Sequence, residues 1–336
     1  LYFKYRFKRN IIKIKIMEEA ILKFKDQLDY EPEIIKGGKL GNYKHYVVCG
    51  MGGSHLSAGI LKMWRPGIEL YVHRSYDLPP YDKEFLKNSL LIASSYSGNT
   101  EEVISFLEKG LEEGYDVAVI ASGGELIKIA KNKNIPYIQI PDDGIQPRSA
   151  IGYSLIALAM LVDEPVCIEE LRELKSIIKP SSFRSEGESI GESIKGKIPV
   201  IYSSVQNLAI SYNWKIKFNE TGKVPAFYNL FSELNHNEMQ GFDTEDFSDK
   251  FHFIILKDPS DHSKIRKRMN ITEELLEKRG YSVTTLILGG GSAFAKIFSS
   301  LLVADWTALK VATDNGINPE TVPMIEEFKM KLTENN

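Results

Sequence analysis

Short apolar runs recur along the chain. Each is followed by a turn of small residues and then by apolar positions three and four apart. The run 45–49 leads into Gly50-Met51-Gly52-Gly53-Ser54, and a helical pattern opens at His55. A second run at 68–72 is ended by Pro79-Pro80. Leu90-Leu91-Ile92-Ala93 leads into Ser94-Ser95-Tyr96-Ser97-Gly98-Asn99-Thr100 and then the amphipathic stretch 101–107. The run 115–120 is turned by Ser122-Gly123-Gly124, a helix is predicted around 125–132, and 136–140 closes the series. Runs of this length read as strands covered on both faces. Their alternation with helices predicts an α/β fold with a doubly wound parallel sheet.

The second half restarts the pattern. A strongly apolar helix is predicted at 151–161, just after Pro147-Arg148-Ser149-Ala150. Residues 163–193 are polar, with Pro165, Pro180 and a Ser/Glu/Gly run at 185–193. They predict a crossover helix at 168–178 and then a linker. A strand and turn at 198–204 and a helix at 208–218 repeat the layout of 47–64, with Ser203-Ser204-Val205 in place of the Gly-rich turn. Phe253-Ile254-Ile255-Leu256 corresponds to the Leu90 run, but Lys257-Asp258-Pro259 follows it, so the second copy lacks the hydroxyls. A helix at 263–279, a strand at 282–288 and a helix at 292–313 complete it, with Gly289-Gly290-Gly291 as a flexible turn. The expected division is an N-terminal domain at 17–165, crossover and linker at 166–195, and a C-terminal domain at 196–336. Residues 1–16 alternate basic with apolar residues and lack a small-residue cleavage site. They are expected to be a non-native or disordered extension ahead of a helix at 17–29, with Met17 as the start.

With 336 residues and 43% hydrophobic content, the chain has ample material for two domains. A net charge of −3 with 26% charged residues gives no footprint for nucleic acid or an anionic membrane. No run of about 18 apolar residues is present, so no membrane span is predicted. Cys49 and Cys167 lie in apolar runs and are expected to be buried free thiols, which points to a reducing, cytoplasmic compartment. The six histidines show no H-x-H or H-E-x-x-H spacing, so neither a metal nor a cofactor is expected.

The chemistry is concentrated at two turns. Both follow strands and open helices, the place where open α/β sheets bind ligands. The 94–100 turn offers the Ser95, Ser97 and Thr100 hydroxyls together with the amides of a helix start, a combination that suits a phosphate. The competing reading is a helix cap, for which Ser, Asn and Thr are common. The Gly-rich turn is neither a dinucleotide fingerprint nor a Walker loop, since the glycine spacing fails the first and no Gly-Lys-Ser/Thr follows for the second. Arg148 places a cation at the mouth of a buried helix, where a surface salt bridge is the plain alternative.

These segments resemble a pair of sugar isomerase (SIS) domains. The stretch 220–242, with Pro225-Ala226-Phe227 and Glu233-Leu234-Asn235-His236-Asn237-Glu238, is narrower still. It is similar to the bifunctional phosphoglucose/phosphomannose isomerases of archaea and bacteria, over most of 17–332. The resemblance implies two SIS-type doubly wound domains and metal-independent interconversion of glucose 6-phosphate or mannose 6-phosphate with fructose 6-phosphate. It also implies a homodimer in which His236 reaches the partner's site. Gly53, Ser54, Ser95, Ser97 and Thr100 stand where the family holds the substrate and its phosphate. Arg148 stands where the family places a cation beside the reacting carbons. Glu220 matches the proton-transfer base, His236 the ring-opening group, and Lys310 the lysine of the last segment.

The chemistry of aldose–ketose exchange fits these residue types. A carboxylate can take a proton from one carbon and return it to its neighbour. An imidazole titrates near neutrality and suits ring opening. A fixed cation stabilises the enediolate oxygen. A sugar-phosphate sensor on the same fold, or another SIS phosphosugar isomerase, is the rival reading. The sensor is disfavoured because no basic helix-turn-helix is present, and the other isomerases because of the two-domain length and the 235–237 segment.

Overall fold

The computed structural model describes residues 13–35 and 40–334. Residues 1–12 of the expected extension lie outside that range. Residues 13–16 belong to one helical stretch with 17–22; Ile14 packs on the core and Met17 is buried. A 3₁₀ segment, Phe24–Asp29, follows.

The first sheet contains β1 (His45–Cys49), β2 (Leu70–His73), β3 (Ser89–Ser94), β4 (Val117–Ala121) and β5 (Tyr137–Gln139). The order is β2-β1-β3-β4-β5, and every neighbouring pair is parallel. β3 and β4 are buried at each position, which accounts for their unbroken apolar sequences. The helices that follow are α1 (Leu56–Trp64), α2 (Lys83–Lys87), α3 (Glu101–Glu112) and α4 (Gly124–Lys133). Next come α5 (Ile151–Leu161), α6 (Pro165–Ile177) and α7 (Arg184–Ser193). α5 is apolar all round and is buried except at Met160, as expected of a helix at the centre of a molecule.

The second sheet holds β6 (Ile198–Ser204), β7 (Phe227–Phe231), β8 (Phe251–Lys257) and β9 (Ser282–Ile287), parallel in the order β7-β6-β8-β9. Its helices are α8 (Leu208–Lys217), α9 (Ser263–Glu277), α10 (Ala293–Asp314) and α11 (Pro323–Glu334). The fold is α/β with two doubly wound parallel sheets. One apolar cluster runs through both halves, from Leu61 and Leu155 to Ile210, Trp214 and Phe298. Separate clusters lie on the other face of each sheet.

Two features depart from the sequence reading. The residues expected to be linker form α7, packed against α10. Gly187 and Gly191 sit four apart on one face and admit that close approach. A methyl at Gly187 would lie 2.5 Å from Trp306 Cβ, and one at Gly191 would lie 2.8 Å from Lys310 Cγ. β7 was not anticipated. It is an edge strand, buried only at Phe231, so it lacks a long apolar run.

The topology fixes where a ligand can sit. β1 is flanked by β2 and β3, so the chain leaves β1 in one direction and β3 in the other. The turns after β1 and β3 therefore open beside each other at the switch point of the first sheet.

Candidate functional site

The two turns are tied together by serines. Ser54 Oγ accepts a hydrogen bond from Tyr96 N at 3.2 Å, and Ser94 Oγ donates to Ser54 O at 3.2 Å. Ser54 and Ser95 are buried. Ser95 Oγ and Thr100 Oγ1 are 2.7 Å apart. Ser97 Oγ accepts from Asn99 N at 3.3 Å. Gly98 has φ +70°, and a side chain there would strike Gly123 O at 1.9 Å, so only glycine fits. Thr100 occupies the N-cap position of α3, yet its side chain makes no cap hydrogen bond. The first intrahelical bonds are those from Val103 N and Ile104 N to Thr100 O, which leaves the amides of 101 and 102 ahead of the helix ladder. The capping reading of Thr100 is therefore not what the structure contains.

Arg148 lies in the 3₁₀ turn Pro147–Ser149 at the mouth of α5 and is 1% exposed. Gly53 abuts this turn directly: a methyl there would lie 3.1 Å from Arg148 Cα and 3.2 Å from Pro147 O. From the other side, Gln27 Nε2 donates to Ser149 O at 2.7 Å. Every N–H of the guanidinium is used. Nε donates to Thr221 Oγ1 at 2.8 Å, and Nη1 to Gln146 Oε1 at 3.4 Å and Glu220 Oε2 at 3.3 Å. Nη2 donates to Pro319 O at 2.5 Å and Glu320 O at 3.2 Å. Burial presses this arginine below its ordinary pKa, against the opposing pull of the Glu220, Glu320 and Asp305 carboxylates.

Glu220 belongs to a π-helical turn, Phe218–Gly222, that continues α8. Such wide turns re-aim side chains and recur at functional sites. The Glu220 side chain is 26% exposed, so it reaches solvent while touching Arg148. The turn ends at Lys223, a non-glycine residue with φ +54°. Lys223 Nζ donates to Glu220 O. Its pKa is pulled down to about 8, first by burial and then by Arg148. Glu320 is buried, and burial raises its carboxyl. The residues Lys217, Thr221, Lys223, Asp305 and Glu320 were not singled out from sequence. Lys217 was the most legible of them, as a cation in a largely buried helix three positions before Glu220.

The remaining two candidates lie elsewhere. Among the described residues no hydrogen bond joins Lys310 to Arg148 or Glu220. The Val311 side chain and the Ala308 carbonyl border Gly222, while Lys310 Nζ pairs with Glu192 at 2.8 Å and Asp314 at 2.7 Å. One position before Val311, Lys310 lies against α7, whose Gly191 admits its Cβ and Cγ. His236 is exposed, and among the described residues no hydrogen bond joins it to Arg148 or Glu220. The loop around it is clamped. Asn235 Nδ2 donates to Thr272 Oγ1 at 2.8 Å, while Tyr202 Oη at 2.7 Å and Asn229 Nδ2 at 2.5 Å both donate to Glu238. Both cysteines are buried free thiols. Among the described residues no three His, Cys, Asp or Glu side chains group as metal ligands would, and no helix is long and apolar enough to cross a membrane.

What the geometry offers is one arginine spanning two lobes. Its backbone touches the Gly53 turn and its guanidinium touches Glu220.

Comparison with known proteins gives the family. Residues 183–332 match the bacterial phospho-glucose isomerase C-terminal SIS domain. The bifunctional phosphoglucose/phosphomannose isomerase of Thermoplasma volcanium is 34% identical, over 94% of this chain and 98% of that protein. That of Aquifex aeolicus is 32% identical, over 92% and 96%. In fold, the chain superposes on tagatose-6-phosphate ketose/aldose isomerase from Escherichia coli with a TM-score of 0.64 at 17% identity, covering 94% and 91%. On the strength of these near-full-length matches, the chain belongs to the bifunctional phosphoglucose/phosphomannose isomerase family.

Proposed function

We propose that this chain interconverts fructose 6-phosphate with glucose 6-phosphate and mannose 6-phosphate through an enediol. Its relatives carry the names of those two isomerases. The observation that carries the reading is the line from Gly53 through Arg148 to Glu220. Gly53, Ser54, Ser95, Ser97 and Thr100 hold the phosphate and the sugar. Glu220 takes the proton from C2 of the aldose and returns it to C1. Arg148 stabilises the oxygen that becomes negative in between through its charge and through Nη1, whose bonds to Gln146 at 3.4 Å and Glu220 at 3.3 Å are its longest and can be exchanged for that oxygen. Lys310 is given no step here: its ammonium pairs with Glu192 and Asp314.

Ring opening is assigned to His236 of a second copy. The support is its exposure on a loop held rigid by Asn235 and Glu238, which presents the imidazole outward. The working form is then a homodimer. The phosphate side of the site belongs to an N-terminal unit at 17–165 and the base to a C-terminal unit beginning near 196. Phosphorylated sugars are cytoplasmic metabolites, so the cytoplasm is the proposed location.

The test is an assay starting from fructose 6-phosphate that reads both aldose phosphates, with and without a chelator. Formation of both, unaffected by chelator, is expected. Absence of either product, or loss of activity with chelator, contradicts the reading.

A further inference from the structure

Lys217 is 1% exposed and stands on α8, three residues before Glu220. Its ammonium makes two contacts. It pairs with Asp305 Oδ1 of α10 at 2.5 Å and donates to the backbone carbonyl of Arg148 at 2.7 Å. Ionising a side chain this deep is costly, and an apolar pair of similar volume would commonly serve packing as well or better. What an apolar pair cannot do is grip a carbonyl. The carbonyl gripped is that of the residue whose Cα borders Gly53 and whose guanidinium touches Glu220.

We propose that Lys217, held by Asp305, is a positioning residue that fixes the Arg148 turn of one lobe against the Glu220 turn of the other. This rests on the isomerase reading above. The guanidinium bonds set where the tip of Arg148 lies, and the Lys217 bond sets where its backbone lies. Together they determine the separation between the phosphate turn and the base. A misplacement of about 1 Å at such a junction can reduce turnover by about 10²-fold.

Two paired variants test the role without leaving a buried charge alone. K217M/D305L removes both charges. K217Q/D305N keeps a polar pair but shortens the reach towards the Arg148 carbonyl, and it serves if the first variant does not fold. In a folded variant, kcat is expected to fall by about 10- to 100-fold with KM within about threefold. The primary isotope effect on kcat with 2-deuterated glucose 6-phosphate is expected to exceed the wild-type value, because misalignment slows the proton transfer itself. A purely structural loss lowers the active fraction and leaves that isotope effect unchanged. A folded variant with kcat within threefold of wild type, or with a fall in kcat and no change in isotope effect, overturns the role of Lys217. No isomerisation by the wild-type chain overturns the proposed reaction instead.

Discussion

Replacing Arg148 by lysine keeps the charge and removes the fork. The guanidinium makes five hydrogen bonds from three nitrogens, to Thr221, Gln146, Glu220, Pro319 and Glu320. An ammonium has three donors, so at least two acceptors lose their partner. Hydrogen bonds from a charged donor contribute about 1.5–3 kcal/mol each. Two of the five are long, at 3.3 and 3.4 Å, so the lower end applies and the stability loss is expected near 3 kcal/mol. The catalytic loss is separate. One preorganised donor facing developing negative charge contributes about 3–4 kcal/mol, so kcat should fall by about 10²–10³-fold. Denaturant titration reads the first quantity, and initial rates with saturating fructose 6-phosphate read the second. A lysine variant with kcat within threefold of wild type would refute the assignment of Arg148 to the reacting end of the sugar.

Three further outcomes follow from single contacts. Gly53→Ala places a methyl 3.1–3.2 Å from the Arg148 turn, so the two loops must separate by a few tenths of an ångström; kcat/KM should fall about 10-fold or more with little change in melting temperature. Thr100→Val removes the hydroxyl next to Ser95 without removing a helix cap, so KM for fructose 6-phosphate should rise about 10-fold while kcat is nearly constant; an unchanged KM argues against phosphate contact. The Lys223 pKa is lowered to about 8 from its ordinary 10.5, so in that window the unfolded chain binds the extra proton and stability rises with pH. Relative to Lys223→Met, the wild type should gain stability between pH 8 and pH 10, measured by denaturant midpoints; a constant difference contradicts the burial argument.

Much of the fold was legible because buried parallel strands leave unbroken apolar runs. β3 and β4 are the clearest cases, and the turn after β3 announces itself through hydroxyls and Gly98. β7 was not legible, since an edge strand buried only at Phe231 lacks that signal. α7 was misread as linker because its glycines look like flexibility, whereas Gly187 and Gly191 mark the face on which α10 lies. The site divides the same way. Gly53 with Ser54, and Ser95 with Ser97 and Thr100, are each local in sequence and can be read as two turns, although 42 residues separate Ser54 from Tyr96. Arg148 and Glu220 are 72 residues apart, and their contact depends on how two sheets share one core. Lys217 and Asp305 form their pair by the same long-range packing, which no local pattern encodes. The short match around Lys310 says nothing of its long-range partners, Glu192 of α7 among them.

Glu220 is proposed to move the proton between the first two carbons of the sugar phosphate. That role is tested most directly by following exchange of the C2 proton of glucose 6-phosphate in D₂O by NMR. The wild-type chain is expected to introduce solvent deuterium at C2, and Glu220→Gln to slow that exchange by about 10²–10⁴-fold while sugar-phosphate binding is retained. Exchange by the glutamine variant at a rate close to wild type would exclude Glu220 as the base.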